Sequence, residues 1–210
     1  MNTKTKVLAS AVAALAVAGC AGLMESAPKV SYEHTQAVFK SSFQDKGQAK
    51  LDRLEQDDLA RACSDAAASG QPLAKDRADR LEKAQQAAIK YPSGSMLGDW
   101  KNGEKIAQTG TGGQYSDDPK VPAGGNCYAC HQLTKEEIAF GTIGPSLYHF
   151  GKIRGFTPEM QKYAYSKVYN SQAFAACSNM PRFGHKVILT EQQMKDVVAL
   201  LMDPGSPVNK

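Results

Sequence analysis

This chain is short of the residues on which most thiol and metal chemistry depends. Its 210 residues include only four histidines and five cysteines. A structural zinc site built from cysteine pairs needs a second cluster of ligands, and Cys127 and Cys130 form the only C-x-x-C. Neither sign of charge dominates, with 25 basic against 21 acidic side chains, which excludes the strongly basic balance of a nucleic-acid-binding protein. No apolar run reaches the roughly 20 residues of a membrane-spanning helix; the longest is Val7 to Ala18. No independent nucleophile, acid–base pair or substrate-pocket signature stands out.

The apolar run has a different meaning. Lys4 and Lys6 precede it, and Val17-Ala18-Gly19-Cys20 closes it. A short positive segment, an apolar segment and small residues make an export signal over residues 1–19. The closing tetrapeptide resembles a bacterial lipobox, which makes Cys20 the lipidated first residue of the processed chain and places the protein in the periplasm, on a membrane only through its lipid. Ordinary cleavage after a small residue is the plainer alternative. Loss of residues 1–19 removes two basic residues and no acidic ones, so the remainder carries about two surplus positive charges.

What is present is Cys127-Tyr128-Ala129-Cys130-His131, a C-x-x-C-H. Two thiols at this spacing can each form a thioether to a haem vinyl group, and the following histidine is placed to ligate the iron. A zinc half-site or a thioredoxin-like pair would account for the cysteines but gives no role to His131. One covalent haem c is therefore expected, with the redox step carried by the cofactor. Cys63 and Cys177 are left over. In an oxidising compartment a disulfide between them is the simplest outcome, against two free thiols, an intermolecular bond, or Cys177 near the iron.

The hydrophobic pattern is helical throughout, so an all-α fold is expected. Residues 20–94 read as a tether followed by polar helical pieces. Leu51, Leu54 and Leu59 recur at near-helical spacing, as do Leu73, Leu81, Ala84, Ala88 and Ile89, with Gly70-Gln71-Pro72 between the two sets. Their apolar stripes are thin, so these helices are expected to wrap another body rather than form a core. Residues 95–210 read as the haem domain. Asp99 is a candidate N-cap for a helix carrying Trp100 and Ile106, and Thr109 to Gly125 is a loop. Glu159 to Ser171 is a helix. Thr190 with Gln193 forms a capping box for a last helix carrying Met194, Val197, Val198, Leu201 and Met202, ended by Pro204 and Gly205.

The order of helix, C-x-x-C-H, Gly144-Pro145-Ser146-Leu147, helix, methionine loop and final helix resembles class I cytochromes c. The resemblance implies that the Pro145 carbonyl accepts the free N–H of the proximal histidine, and that Leu147 packs on the haem. It also implies a methionine as second axial ligand, which raises the potential. Of seven methionines, Met180 lies in an interhelical loop, Cys177-Ser178-Asn179-Met180-Pro181-Arg182-Phe183-Gly184, and is assigned the role. His149, His185 and Cys177 are its rivals. Arg182 either meets a haem propionate or is exposed.

Gly141-Thr142-Ile143-Gly144-Pro145-Ser146-Leu147, Met180-Pro181-Arg182-Phe183-Gly184, the long loop before the haem and Leu97 to Lys105 resemble more narrowly the SoxX family. These are the monohaem subunits of SoxAX cytochromes of bacterial sulfur oxidation. The resemblance spans roughly residues 95–202. The polar extension and the Cys63/Cys177 pair resemble the longer members. The implication is an electron relay, non-catalytic in itself, within a complex that couples thiosulfate or a similar sulfur compound to a carrier-protein cysteine. Its partners would be a SoxA-like c-type cytochrome subunit and a small downstream cytochrome c. A stand-alone periplasmic electron carrier is the alternative.

Overall fold

The computed structural model describes residues 30–210; the expected export signal and Cys20 lie outside the described residues. The described residues hold seven α-helices and no strand, and they divide after Phe43 into two compact units. The first contributes one described helix, α1 (Tyr32–Ser42). The Ser31 side chain caps it by accepting from the His34 N–H, and Phe39 and Phe43 meet edge to face at its end.

The second unit, from Gln44 onward, contains α2 (Asp58–Ser69), α3 (Lys75–Ala87), α4 (Trp100–Gln108), α5 (Phe150–Arg154), α6 (Pro158–Tyr169) and α7 (Glu191–Met202). Helix α7 is the spine. Thr190 and Gln193 form the capping box, and Met194, Val197, Val198, Leu200, Leu201 and Met202 are buried. Helix α6 begins with a Thr157 cap and Pro158 in its first turn, where a missing N–H costs nothing. Its Ala164, Tyr165 and Val168 join the same core.

Helix α4 starts at Asp99, whose side chain accepts from the Lys101 N–H, and packs against α7 at Gly103. A Cβ there would overlap the Asp196 carbonyl, so the absent side chain permits the close crossing. Asp196 is 5% exposed, and its carboxylate accepts the Asp99 N–H at 2.9 Å and the Gln192 side-chain amide at 2.8 Å. A buried carboxylate with two donors ties the start of α4 to the flank of α7.

The segment 44–94 belongs to this same unit, and polar bonds attach it. Gln48 Nε2 donates to the Asp117 carbonyl at 3.0 Å, Arg53 donates to the Gln48 and Gly113 carbonyls, and Lys46 sits 3.9 Å over the Tyr115 ring. Helix α2 buries only Leu59 and Ala62 and α3 buries nothing, yet both are fixed. Cys63 is bonded to Cys177. Gln86 Nε2 donates to the Ala173 carbonyl at 2.7 Å, and the Ala176 N–H donates to Glu82 at 2.8 Å.

Arg182 is 8% exposed and donates to Asp57, the N-cap of α2, at 2.6 Å. The sequence left Arg182 between a propionate and solvent; the fold directs it to this carboxylate. Burial pushes the Asp57 carboxyl up, but the Ala60 N–H, the Arg182 guanidinium and the Lys186 ammonium outweigh it and hold it below its ordinary value of 3.8. His185 Nε2 lies 3.7 Å from the same carboxylate. Burial, with Arg182 and Lys186 nearby, lowers the His185 pKa despite Asp57, so at neutral pH this contact is dipolar rather than an ion pair.

Two outcomes test these packing arguments. An alanine in a helix interior normally stabilises by about 1 kcal/mol over glycine. At Gly103 the order should reverse, with Gly103→Ala losing about 1–3 kcal/mol in denaturant unfolding because backbone faces the new methyl. For Asp57, a depressed folded pKa stabilises above the unfolded value and is lost as pH falls through the folded one. The stability gap between wild type and Asp57→Asn should therefore hold from neutral pH down to about pH 4, the unfolded carboxyl value, and shrink as the pH falls further. An undiminished gap at the acid end would contradict the ion pair.

Candidate haem-attachment site

The C-x-x-C-H segment forms a single tight turn. Asn126 adopts a left-handed conformation (φ 46°), and Cys127–Ala129 is a 3₁₀ turn closed by the Cys130 and His131 N–H groups on the Cys127 carbonyl. Side chains three apart eclipse in such a turn, which places Cys127 and Cys130 on one side with His131 next to them. Neither cysteine is in a disulfide. Burial pushes the Cys127 thiol up to about 12. A thioredoxin-like pair needs a depressed thiol pKa, so this environment is unsuited to thiolate exchange. Among the described residues no group of three or more His, Cys, Asp or Glu side chains is gathered to hold a metal ion.

The loop 141–147 is laced along this turn. The N–H groups of Gly141, Gly144 and Leu147 donate to the carbonyls of Tyr128, Cys130 and Gln132, each at 2.8 Å. A Cβ on Gly141 would overlap the Ala129 carbonyl, and one on Gly144 would overlap the imidazole of His131. Both glycines are there so that this loop can lie flat against the motif. That contact brings the Pro145 carbonyl 2.7 Å from His131 Nδ1. A carbonyl can only accept, so Nδ1 carries the proton and Nε2 keeps its lone pair for a metal.

Ile106, Cys127, Leu147 and Met180 are among the partly buried apolar side chains packed on the core that includes Tyr128 and Leu133. Two thiols in one turn and an oriented imidazole match the covalent and axial requirements of haem c. Met180 lies on the segment after the 3₁₀ turn Ser171–Ala173; its carbonyl accepts from Ser171 Oγ, and its N–H donates to Ser178 Oγ at 3.2 Å.

The rivals of Met180 are engaged elsewhere. His149 immediately precedes α5; its ring stacks on Tyr148 at 3.8 Å and contacts the carbonyl of Lys210 through Nε2. The His185 imidazole faces Asp57, with Nε2 3.7 Å from its carboxylate, while the His185 backbone N–H donates to the Tyr169 carbonyl. Cys177 is bonded to Cys63. The structural role of Asp57 had no signal in the sequence, because its partner is 125 residues away. Gly144 had a weak one, as part of a compact glycine-proline block.

Comparison with known proteins agrees with this construction. The profile of the family described as cytochrome c matches residues 120–203. A protein described as an uncharacterized lipoprotein, from Aquifex aeolicus (strain VF5), is 35% identical over 217 residues, spanning 99% of this chain and 100% of that protein. The chain therefore belongs to one family with the Aquifex protein, and within it carries a class I cytochrome c domain, the kind that binds haem c covalently and transfers electrons.

Proposed function

We propose that this chain is the electron-relay subunit of a SoxAX-type complex, periplasmic and lipid-anchored through Cys20. The haem would be bonded through Cys127 and Cys130 and ligated by His131 and Met180. The observation that supports the relay reading is the orientation of His131 by Pro145, with the His149 ring on the Lys210 carbonyl and the His185 ring facing Asp57. When bound, haem c supplies a one-electron couple. The protein's part would be to hold the iron through two of its own side chains. His131 presents Nε2 because Nδ1 is held by Pro145; Met180 would supply a neutral thioether, which favours a raised potential; Leu147 would pack on the ring. A site with both positions filled passes electrons and does not bind substrate.

The sulfur chemistry would occur on the partner. Joining thiosulfate to a carrier cysteine breaks one S–H bond, forms one S–S bond, and releases a proton and two electrons. A monohaem relay passes these on one at a time to a downstream cytochrome. Support for this assignment comes from the Gly141 to Leu147 and Met180 to Gly184 blocks and from an extension integrated into the haem-bearing unit. For anchoring, support comes from the lipobox-like residues before Cys20 and from a relative described as a lipoprotein. No helix among the described residues is long and apolar enough to cross a membrane.

Two measurements test the proposal. Met180→Ala should convert the low-spin spectrum to high-spin and lower the reduction potential; an unaltered spectrum removes Met180 from the iron. Purification from native cells in mild detergent should bring a second c-type cytochrome in equal amount. Elution as a lone monohaem protein would instead identify a freestanding carrier.

A further inference from the structure

The two extension helices converge on one short stretch of the haem domain. Asn170 Nδ2 donates to Gln85 Oε1 at 2.8 Å, Gln86 reaches the Ala173 carbonyl, Glu82 accepts the Ala176 N–H, Cys63 is bonded to Cys177, and Asp57 pairs with Arg182. Gln85 Oε1 also lies 3.4 Å from the Arg182 guanidinium. Met180 sits between the last two of these anchors, three residues after Cys177 and two before Arg182. Among the described residues its own backbone bonds to the hydroxyls of Ser171 and Ser178. A methionine side chain has three rotatable bonds and a soft, neutral sulfur. Such a ligand stays in place only if the backbone carrying it does.

We propose that the extension is a clamp on the Met180 loop, with Asp57 as a positioning residue and Cys63–Cys177 as its covalent part. The proposal rests on the reading of Met180 as the axial ligand. To withdraw Met180, the loop from Cys177 to Arg182 must open as a local unit. Opening would separate Arg182 from Asp57 and give up the charge-assisted hydrogen bond that this largely buried guanidinium makes. The disulfide limits the opening at the other end, because Cys177 cannot leave without α2. The exposed charges of α3 add no comparable restraint, since its Lys75–Asp79 and Arg80–Asp76 pairs are solvated. An extension serving only as a platform for a partner would not need its anchors on both sides of Met180.

The test uses the haem-loaded full-length protein. Wild type, Asp57→Asn, Asp57→Glu and the double variant Cys63→Ser/Cys177→Ser are mixed with imidazole, and the rate at which it displaces Met180 is followed by loss of the methionine–iron absorption band. Hydrogen exchange of the amides at 176–185 is measured beside that of α7. Asparagine keeps an oxygen for the Ala60 N–H that caps α2 and replaces the oxygen that accepts from Arg182 with a donor, so Asp57→Asn breaks the ion pair and spares the cap. Asp57→Asn and the double serine variant should each speed displacement roughly ten-fold or more, Asp57→Glu should restore most of the difference, and exchange should rise at 176–185 but not in α7. Displacement rates within about two-fold of wild type, or exchange that rises equally in α7, would overturn the clamp. Failure of the underlying reading looks different: a Met180→Ala spectrum identical to wild type takes Met180 off the iron, and the proposal falls with it.

Discussion

The hydrogen bond between His131 Nδ1 and the Pro145 carbonyl is the contact on which the haem site depends. It fixes the tautomer, the plane of the ring and the direction of Nε2 together. It exists because a glycine-poor alternative to the 141–147 loop would not fit: side chains at Gly141 or Gly144 would push the loop off the Cys127–His131 turn and carry Pro145 out of reach. The loop's three backbone bonds to Tyr128, Cys130 and Gln132 hold the approach in place. The core beneath, built on the capped helix α7 and its close crossing with α4 at Gly103, keeps that turn from moving.

The second constraint is the way the extension is attached. Amphipathic helices usually dock by burying an apolar face. Helices α2 and α3 have little such face, and they dock by satisfying specific backbone and side-chain groups of the haem domain. Attachment of this kind is directional. It places Asp57, Cys63, Glu82, Gln85 and Gln86 against residues 170–182, where apolar packing alone would allow sliding. The cost is that each donor must find its partner, and a lost partner leaves Arg182 or a backbone amide unsatisfied.

Much of this was legible in the sequence wherever the signal is local. The Thr190/Gln193 box, the Asp99 cap, the glycine-rich loop before the motif and the C-x-x-C-H itself are patterns within a few residues, and the all-helical fold follows from them. Contacts without a local pattern were not legible. The Asp57–Arg182 pair joins residues 125 apart. The docking of α3 rests on glutamines and a glutamate that read as a solvated face. Gly103 and Gly144 act by lacking a side chain, which in one sequence looks no different from a flexible glycine. The left-handed residues Asn126 and His149 sit at turns whose geometry depends on distant partners, Thr109 for the first and Val208 for the second.

A crystal structure of the haem-loaded protein tests the axial pair of His131 and Met180 most directly. The prediction is thioether bonds from Cys127 and Cys130, with His131 Nε2 on one face of the iron and Met180 Sδ on the other. Water, His149 or His185 opposite His131, with Met180 turned away, would contradict it and return the site to an open, ligand-binding haem.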